Sequence, residues 1–357
     1  MKKTLILTTA LTGMAFAAQA QDLTVMSWGG AYETSQVEGY NKPFTAATGI
    51  NVAMVAADNP NAPIKAMVEA GNVTVDVADV EYADAVRMCD EGLLETIDHS
   101  ALPAGADGTA AEDDFLPGAL TDCGVANIVF STIYAYDTTK FPEKPTSIAD
   151  FFDMTKFPGK RGMRKGAKAN LEMALMADGV PAAEVYGLLE TPEGVDRAFA
   201  KLDTIKADTV WWEAGAQPPQ LLADGEVAMS TAYNGRIFAA AVDEGKPFVT
   251  VWDGQVYEYD LFVIPKGAPN LEKAKEYVAF ATSSASLAEQ AKWISYGPAR
   301  KSAGAMVGLS NDGKTEMGPY MPTSAANLTN ALASSYEFWA DRDAELNERF
   351  NAWLAAN

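Results

Sequence analysis

The chain has 357 residues, 48% of them hydrophobic, and sets 48 acidic against 27 basic side chains for a formal net charge of −21. Such acidity excludes nucleic acid or an anionic membrane surface as a partner held by charge. It suits either a weak general attraction for cations or a whole surface adapted to salt. A chain of this length and apolar content can bury one large core or two smaller ones.

At the start, Lys2 and Lys3 precede an apolar run from Leu5 to Ala18, and Ala18-Gln19-Ala20 is a small-x-small cleavage site. Residues 1–20 therefore read as a secretory signal peptide cleaved after about Ala20, too short for a membrane anchor. Its removal takes away two lysines and no acids, leaving 25 basic minus 48 acidic residues, or −23. Leu23 to Trp28 then alternates like a strand, and Gly29-Gly30 breaks it. A helix is expected from about Tyr32 to Thr48, closed by Gly49 as a C-cap. Ile50–Val55 reads as a strand, Ala62–Ala70 as a helix stopped by Gly71, Val75–Val80 as a third strand, and 83–91 as a helix stopped by Gly92. Alternation of this kind implies a parallel sheet with helices on its faces.

A second α/β region opens with the strand Val129–Tyr136. Helical stretches follow at 146–153, 169–178 and 193–206, and further strands at Val227–Tyr233 and Glu258–Ile264. Leu271–Thr282 and Ser334–Leu354 close the chain as helices. Two α/β regions without a linker suggest lobes joined by strand crossings, near 130–135 and 256–262. Ligands in such folds sit at the carboxyl ends of strands. That draws attention to Trp28, Glu81-Tyr82, Tyr233-Asn234 and the stretch from Tyr257 to Asp260.

Residues for catalysis or metal binding are sparse. His99 is the one histidine, in a polar stretch, and reads as surface. It cannot furnish the usual zinc site and has no nucleophile motif beside it. Cys89 and Cys123 lie outside any CxxC. In an oxidising exported compartment they form a candidate disulfide pinning a polar loop, worth about 3–4 kcal/mol. No cofactor is expected.

The order of several short motifs resembles the periplasmic solute-binding proteins of ABC importers, in the spermidine/putrescine-binding family. Its carriers are Met26-Ser-Trp-Gly-Gly30, Phe44-Thr-Ala-Ala-Thr-Gly-Ile50, Val75-Asp-Val77, Phe157-Pro-Gly-Lys160, Leu221–Val227, Tyr233-Asn-Gly235, Val263-Ile-Pro-Lys-Gly267 and Ser295-Tyr-Gly-Pro298. The resemblance covers nearly all of residues 22–350. It implies the type II periplasmic-binding-protein fold: two α/β lobes joined by a hinge, with the ligand cleft between them. One lobe would hold 22–132 plus 260–307 and the other 133–259 plus 308–357. It further implies a monomer that hands a small amine-bearing solute to an inner-membrane ABC permease, and no catalysis. Two other readings on this fold, a thiaminase-like enzyme and a ferric-ion binder, lack a cysteine beside the wall aromatics and a Tyr-Tyr pair.

In proteins of this family, aromatic walls hold an amine chain and acids hold its ammonium groups, through cation–π contacts and charge-assisted hydrogen bonds. Carried over, the candidates are Trp28, Tyr32, Tyr233 and Tyr296 as walls and Asp260 as the acid. Glu81 and the pair Trp211-Trp212 join them on strand-end position and on the cost of exposing two adjacent tryptophans. The chain departs from long-polyamine binders in Arg161-Gly-Met-Arg-Lys-Gly-Ala-Lys168, basic where the family pattern is acidic, and in Arg236. Those basics either sit solvated and paired with the many acids or receive a carboxylate, which an arginine fork suits. Val210-Trp-Trp212, Gln217, Leu221-Leu222 and Asn234–Ile237 resemble a subgroup that includes 4-aminobutyrate binders. The resemblance thus leaves a polyamine or a ω-amino acid as the solute, with its amine toward Asp260 or Glu81 and any carboxylate toward Arg236 or Arg164.

Overall fold

The structure is a computed structural model that describes residues 23–356; the expected signal peptide lies outside the described residues. The strands are β1 (Leu23–Ser27), β2 (Val52–Ala56), β3 (Val77–Glu81), β4 (Leu120–Thr121), β5 (Gly124–Asp137), β6 (Arg161–Arg164), β7 (Thr209–Trp212), β8 (Met229–Tyr233), β9 (Phe248–Val263), β10 (Gly297–Pro298) and β11 (Ala331–Ala333). Their main path runs β2-β1-β3-β9-β5-β8-β6-β7. At one end β2, β1 and β3 are parallel, and at the other β8, β6 and β7 are parallel. Between them β9 and β5 run antiparallel to each other and to their outer neighbours.

Hydrogen bonding is thus continuous from edge to edge, yet the apolar side chains divide. One core gathers Leu23, Val25, Val77, Phe262 and Tyr277; another gathers Tyr134, Met163, Leu171, Phe199 and Trp339. The two long strands feed both. Val125 and Leu261 belong to the first core, whereas Tyr134 and Val251 belong to the second. Between the two the ladder is interrupted: the partner of Thr132 is Val256, and that of Tyr134 is Val251. Gly254 makes the interruption possible with φ +75, and a Cβ there would meet Ile148 at 2.5 Å. The sequence pattern shows only the second half of β9 because this glycine hides the first.

The first helical stretch starts at Gly30, earlier than expected, and passes through a π-helical turn at Val37–Asn41. Pro43 explains the turn: it has no N–H to return to the preceding turn, and the Lys42 N–H bonds instead to Val37 O. Cys89, in the last turn of the Tyr82–Asp90 helix, is joined by a disulfide to Cys123 between β4 and β5. His99 is half-buried rather than plain surface. Its Nε2 lies 2.9 Å from Thr121 O and ties the polar loop to β4.

Candidate functional site

The β3–β9 register sets the chemistry. Glu81 lies directly opposite Asp260, and residues opposite each other in an antiparallel pair share a face. Two-residue periodicity puts Asp79 and Glu258 on that face as well, so four carboxylates converge. Each is treated differently. Asp79 Oδ2 accepts from Tyr32 Oη (2.7 Å), Gln36 Nε2 (2.6 Å) and Asn127 Nδ2 (2.9 Å). Burial nevertheless raises its pKa to about 7, against those donors. Glu81 accepts from Arg164 Nη1 and Lys168 Nζ, both at 2.9 Å, and Lys168 Nζ also reaches Glu258. Burial alone would raise the Glu81 carboxyl, but the Lys168 and Arg164 charges outweigh it and hold the pKa at about 2.

Asp260 receives no such help. Only 5% exposed, it forms no ion pair among the described residues, and its Oδ1 is buried without a hydrogen-bond partner. Burial, then the neighbouring Asp79, Glu81 and Glu258, push its pKa well above the ordinary carboxylate range. The face therefore lacks one cation, and Asp260 is where it is lacking.

Aromatic rings enclose that carboxylate. Trp28, Tyr32, Phe130, Tyr233 and Tyr296 line a cleft with Asp260, Glu81, Asp58 and Arg236, enclosing about 430 Å³ of space with its mouth. The rings brace one another edge to face: Tyr32 on Tyr296 at 5.3 Å and Phe130 on Tyr233 at 5.5 Å between centroids. Arg236 stands in the same cleft, 5% exposed and in no ion pair among the described residues. Its Nη1 and Nη2 donate to Gly29 O (2.8 Å) and Trp28 O (3.1 Å), and its Nε is buried without a partner. Gly29 and Gly30 permit this approach. Both have left-handed φ, +65 and +60, and a Cβ on Gly30 would lie 2.5 Å from Arg236 Nη1.

Residues 39–317 match the family model of bacterial extracellular solute-binding proteins. The chain belongs to the bacterial extracellular solute-binding proteins. It is 47% identical to a gamma-aminobutyric acid-binding protein of Pseudomonas aeruginosa, over 97% of this chain and 96% of that one. Among solved structures it is similar to the Atu4243 GABA receptor, at 33% identity and TM-score 0.79, covering 94% of this chain and 98% of that one. It is also similar to the binding protein MotA of Agrobacterium tumefaciens in complex with glucopine, at 28% identity and TM-score 0.85, covering 94% and 100%. An ABC transporter substrate-binding protein of Bradyrhizobium japonicum matches at 33% identity and TM-score 0.81, covering 93% and 99%. The family is one of binding proteins, and this solute-binding protein is not an enzyme. Both its cysteines are consumed by their disulfide, which leaves no thiol nucleophile on the fold.

Seven of the nine residues expected at the site (Trp28, Tyr32, Glu81, Tyr233, Arg236, Asp260 and Tyr296) line the one cleft. The tryptophan pair does not. Neighbouring strand residues face opposite ways. Trp212 packs behind Tyr233 at 5.6 Å, while Trp211 lies on the far side against Phe350 and Trp353. Both are second-layer packing rather than walls. Arg164 and Glu81 are engaged with each other, so neither is free for a ligand terminus. The remaining basics also divide: Arg161 is fully buried and donates to the carbonyls of Phe151, Gly159 and Phe157, and Lys165 meets Glu213 at the surface. Phe130 and Asp58 were missed. Asp58 follows β2 just beyond its carboxyl end, where the strand-end rule would have found it; Phe130 sits inside an apolar run that carries no such signal.

Proposed function

We propose that this solute-binding protein captures 4-aminobutyrate, or a ω-amino acid of similar length, in the periplasm and delivers it to an inner-membrane ABC permease. The observation that carries the reading is the pairing of two incomplete groups in one aromatic cleft: the Asp260 carboxylate with an unpartnered Oδ1, and the Arg236 guanidinium with an unpartnered Nε. A buried charge or polar group without a partner is costly, and a zwitterion with separated ends would complete both. The ammonium goes to Asp260 between rings whose faces favour cations. The carboxylate goes to Arg236, whose fork accommodates it. A diamine would set its second cation against Arg236, with Glu81 already neutralised by two cations.

The likeness to the Pseudomonas gamma-aminobutyric acid-binding protein supports the same ligand. The two cores meeting at β5 and β9 support a pair of lobes, 22–132 plus 260–307 and 133–259 plus 308–357, that close on the solute by bending those strands. Export by the N-terminal signal and action as a monomer complete the proposal. The test is a thermal-shift and calorimetric titration with 4-aminobutyrate, 5-aminovalerate, putrescine and spermidine. A ligand at 100 times its Kd adds about 2.7 kcal/mol of stability. Stabilisation by the amino acids supports the reading; binding of putrescine with refusal of every amino acid would end it.

A further inference from the structure

Lys168 occupies an unusual position on the acidic face. It comes from the loop between β6 and the Asn170–Ala177 helix, yet its ammonium is buried between Glu81 and Glu258, carboxylates of β3 and β9. Its side chain is only 11% exposed. Glu258, two residues before Asp260 on β9, presents its carboxylate on the same side of the sheet, and Glu81 faces Asp260 across the ladder. The Lys168 ammonium is therefore bonded to the two carboxylates that flank Asp260 on this face, Glu81 across the ladder and Glu258 two residues along β9. Glu81 lines both the aromatic cleft and a neighbouring polar cavity, and Lys168 lines that second cavity, so the Glu81–Lys168 pair forms the partition between them.

We propose that Lys168 is a tethered counter-cation that fills the place a second ligand ammonium would take, restricting the cleft to solutes with a single ammonium. The inference rests on the assignment of a ligand ammonium to Asp260 made above. Its physical content is charge balance. Of the four carboxylates on the face, Asp79 is held by the neutral donors Tyr32, Gln36 and Asn127, Glu81 and Glu258 share the cations Arg164 and Lys168, and Asp260 alone is left for a cation of the solute. A diamine offers two and finds only one place. Truncating Lys168 opens the second place, keeps both of its acids, and joins the two cavities across the removed side chain.

The test is calorimetric titration of putrescine into the wild type and Lys168→Ala, with 4-aminobutyrate titrated into the wild type alongside. Lys168→Ala is expected to bind putrescine roughly tenfold or more tighter than the wild type, the scale of one hydrogen bond to a charged group. Should Lys168→Ala not accumulate as folded protein, Lys168→Gln, which keeps a donor for the two acids without the charge, is read in the same way. A folded variant with unchanged putrescine affinity overturns the proposal, as does a wild type that already binds putrescine as tightly as the variant. A wild type that ignores 4-aminobutyrate overturns the ω-amino-acid reading instead, so the two failures are told apart.

Discussion

Replacing Asp260 by asparagine should weaken the solute and strengthen the protein, with opposite dependence on what is bound. The substitution keeps the shape and removes the charge. Truncating one partner of a buried, hydrogen-bonded charge pair costs about 2–5 kcal/mol, so the 4-aminobutyrate Kd should rise roughly thirty- to several-thousand-fold. Without ligand the balance reverses. The carboxylate is buried with an unpartnered oxygen, a situation worth about 1–3 kcal/mol against folding. Its folded pKa is raised, so the native state holds a proton that the unfolded chain gives up near pH 4. Stability attributable to this group therefore falls as pH rises above that value. Asp260→Asn should melt a few degrees higher than the wild type at pH 8, by the usual conversion of ΔΔG into Tm. The difference should shrink toward pH 4. Differential scanning calorimetry at both pH values, with and without ligand, reads all of this. A variant that is less stable at pH 8 than at pH 4 relative to wild type, or one that binds undiminished, would refute the account.

Arg236→Ala should lose 4-aminobutyrate by about 1.5–3 kcal/mol, one to two powers of ten in Kd, and Arg236→Lys should recover only part because an ammonium cannot reproduce the fork; equilibrium titration of both settles it. Ligand binding between pH 5 and 7 should release protons, because an incoming ammonium drives off protons that Asp260, and Asp79 with its pKa of about 7, hold in the free protein. Calorimetry in buffers of different ionisation enthalpy would show it, with affinity tightening as pH rises. Opening the Cys89–Cys123 bridge, whose ends are separated by 34 positions in sequence, should cost about 3–4 kcal/mol. The Cys89→Ala/Cys123→Ala variant should accordingly melt lower, with ligand affinity retained, since the bridge lies away from the cleft.

Much of the site was legible because it obeys a local rule. Trp28 stands where β1 ends and two glycines turn the chain, and Tyr233 where β8 gives way to the Asn234–Phe238 helix, while Asp260, on a strand that also carries Asp253 and Glu258, is singled out as the acid only by the family resemblance. What could not be read depends on partners distant in sequence. Glu81 looks like a ligand acid by position; only the fold brings Arg164 and Lys168, more than 80 residues away, onto its oxygens. Arg161 and Arg164 are indistinguishable in the basic run, although one is held by carbonyls and the other by a carboxylate. Trp211-Trp212 failed because adjacency in a strand sends two rings to opposite faces, so a pair signals two packing layers rather than one wall. The first half of β9 was hidden by Gly254, whose left-handed turn interrupts the alternation without ending the strand.

The route of the chain through β5 and β9 also governs how the protein can be made. The first core takes Leu23 to Ala126 from one end of the chain and Leu261 to Ala299 from far beyond, and β3 has β9 as its inner neighbour. No growing polypeptide that stops before β9 owns a completed sheet, however much of its amino-terminal sequence has emerged. Contacts so remote in sequence form late and slowly. The nascent chain thus stays open for most of its synthesis, the condition under which a polypeptide can still be threaded through a narrow pore.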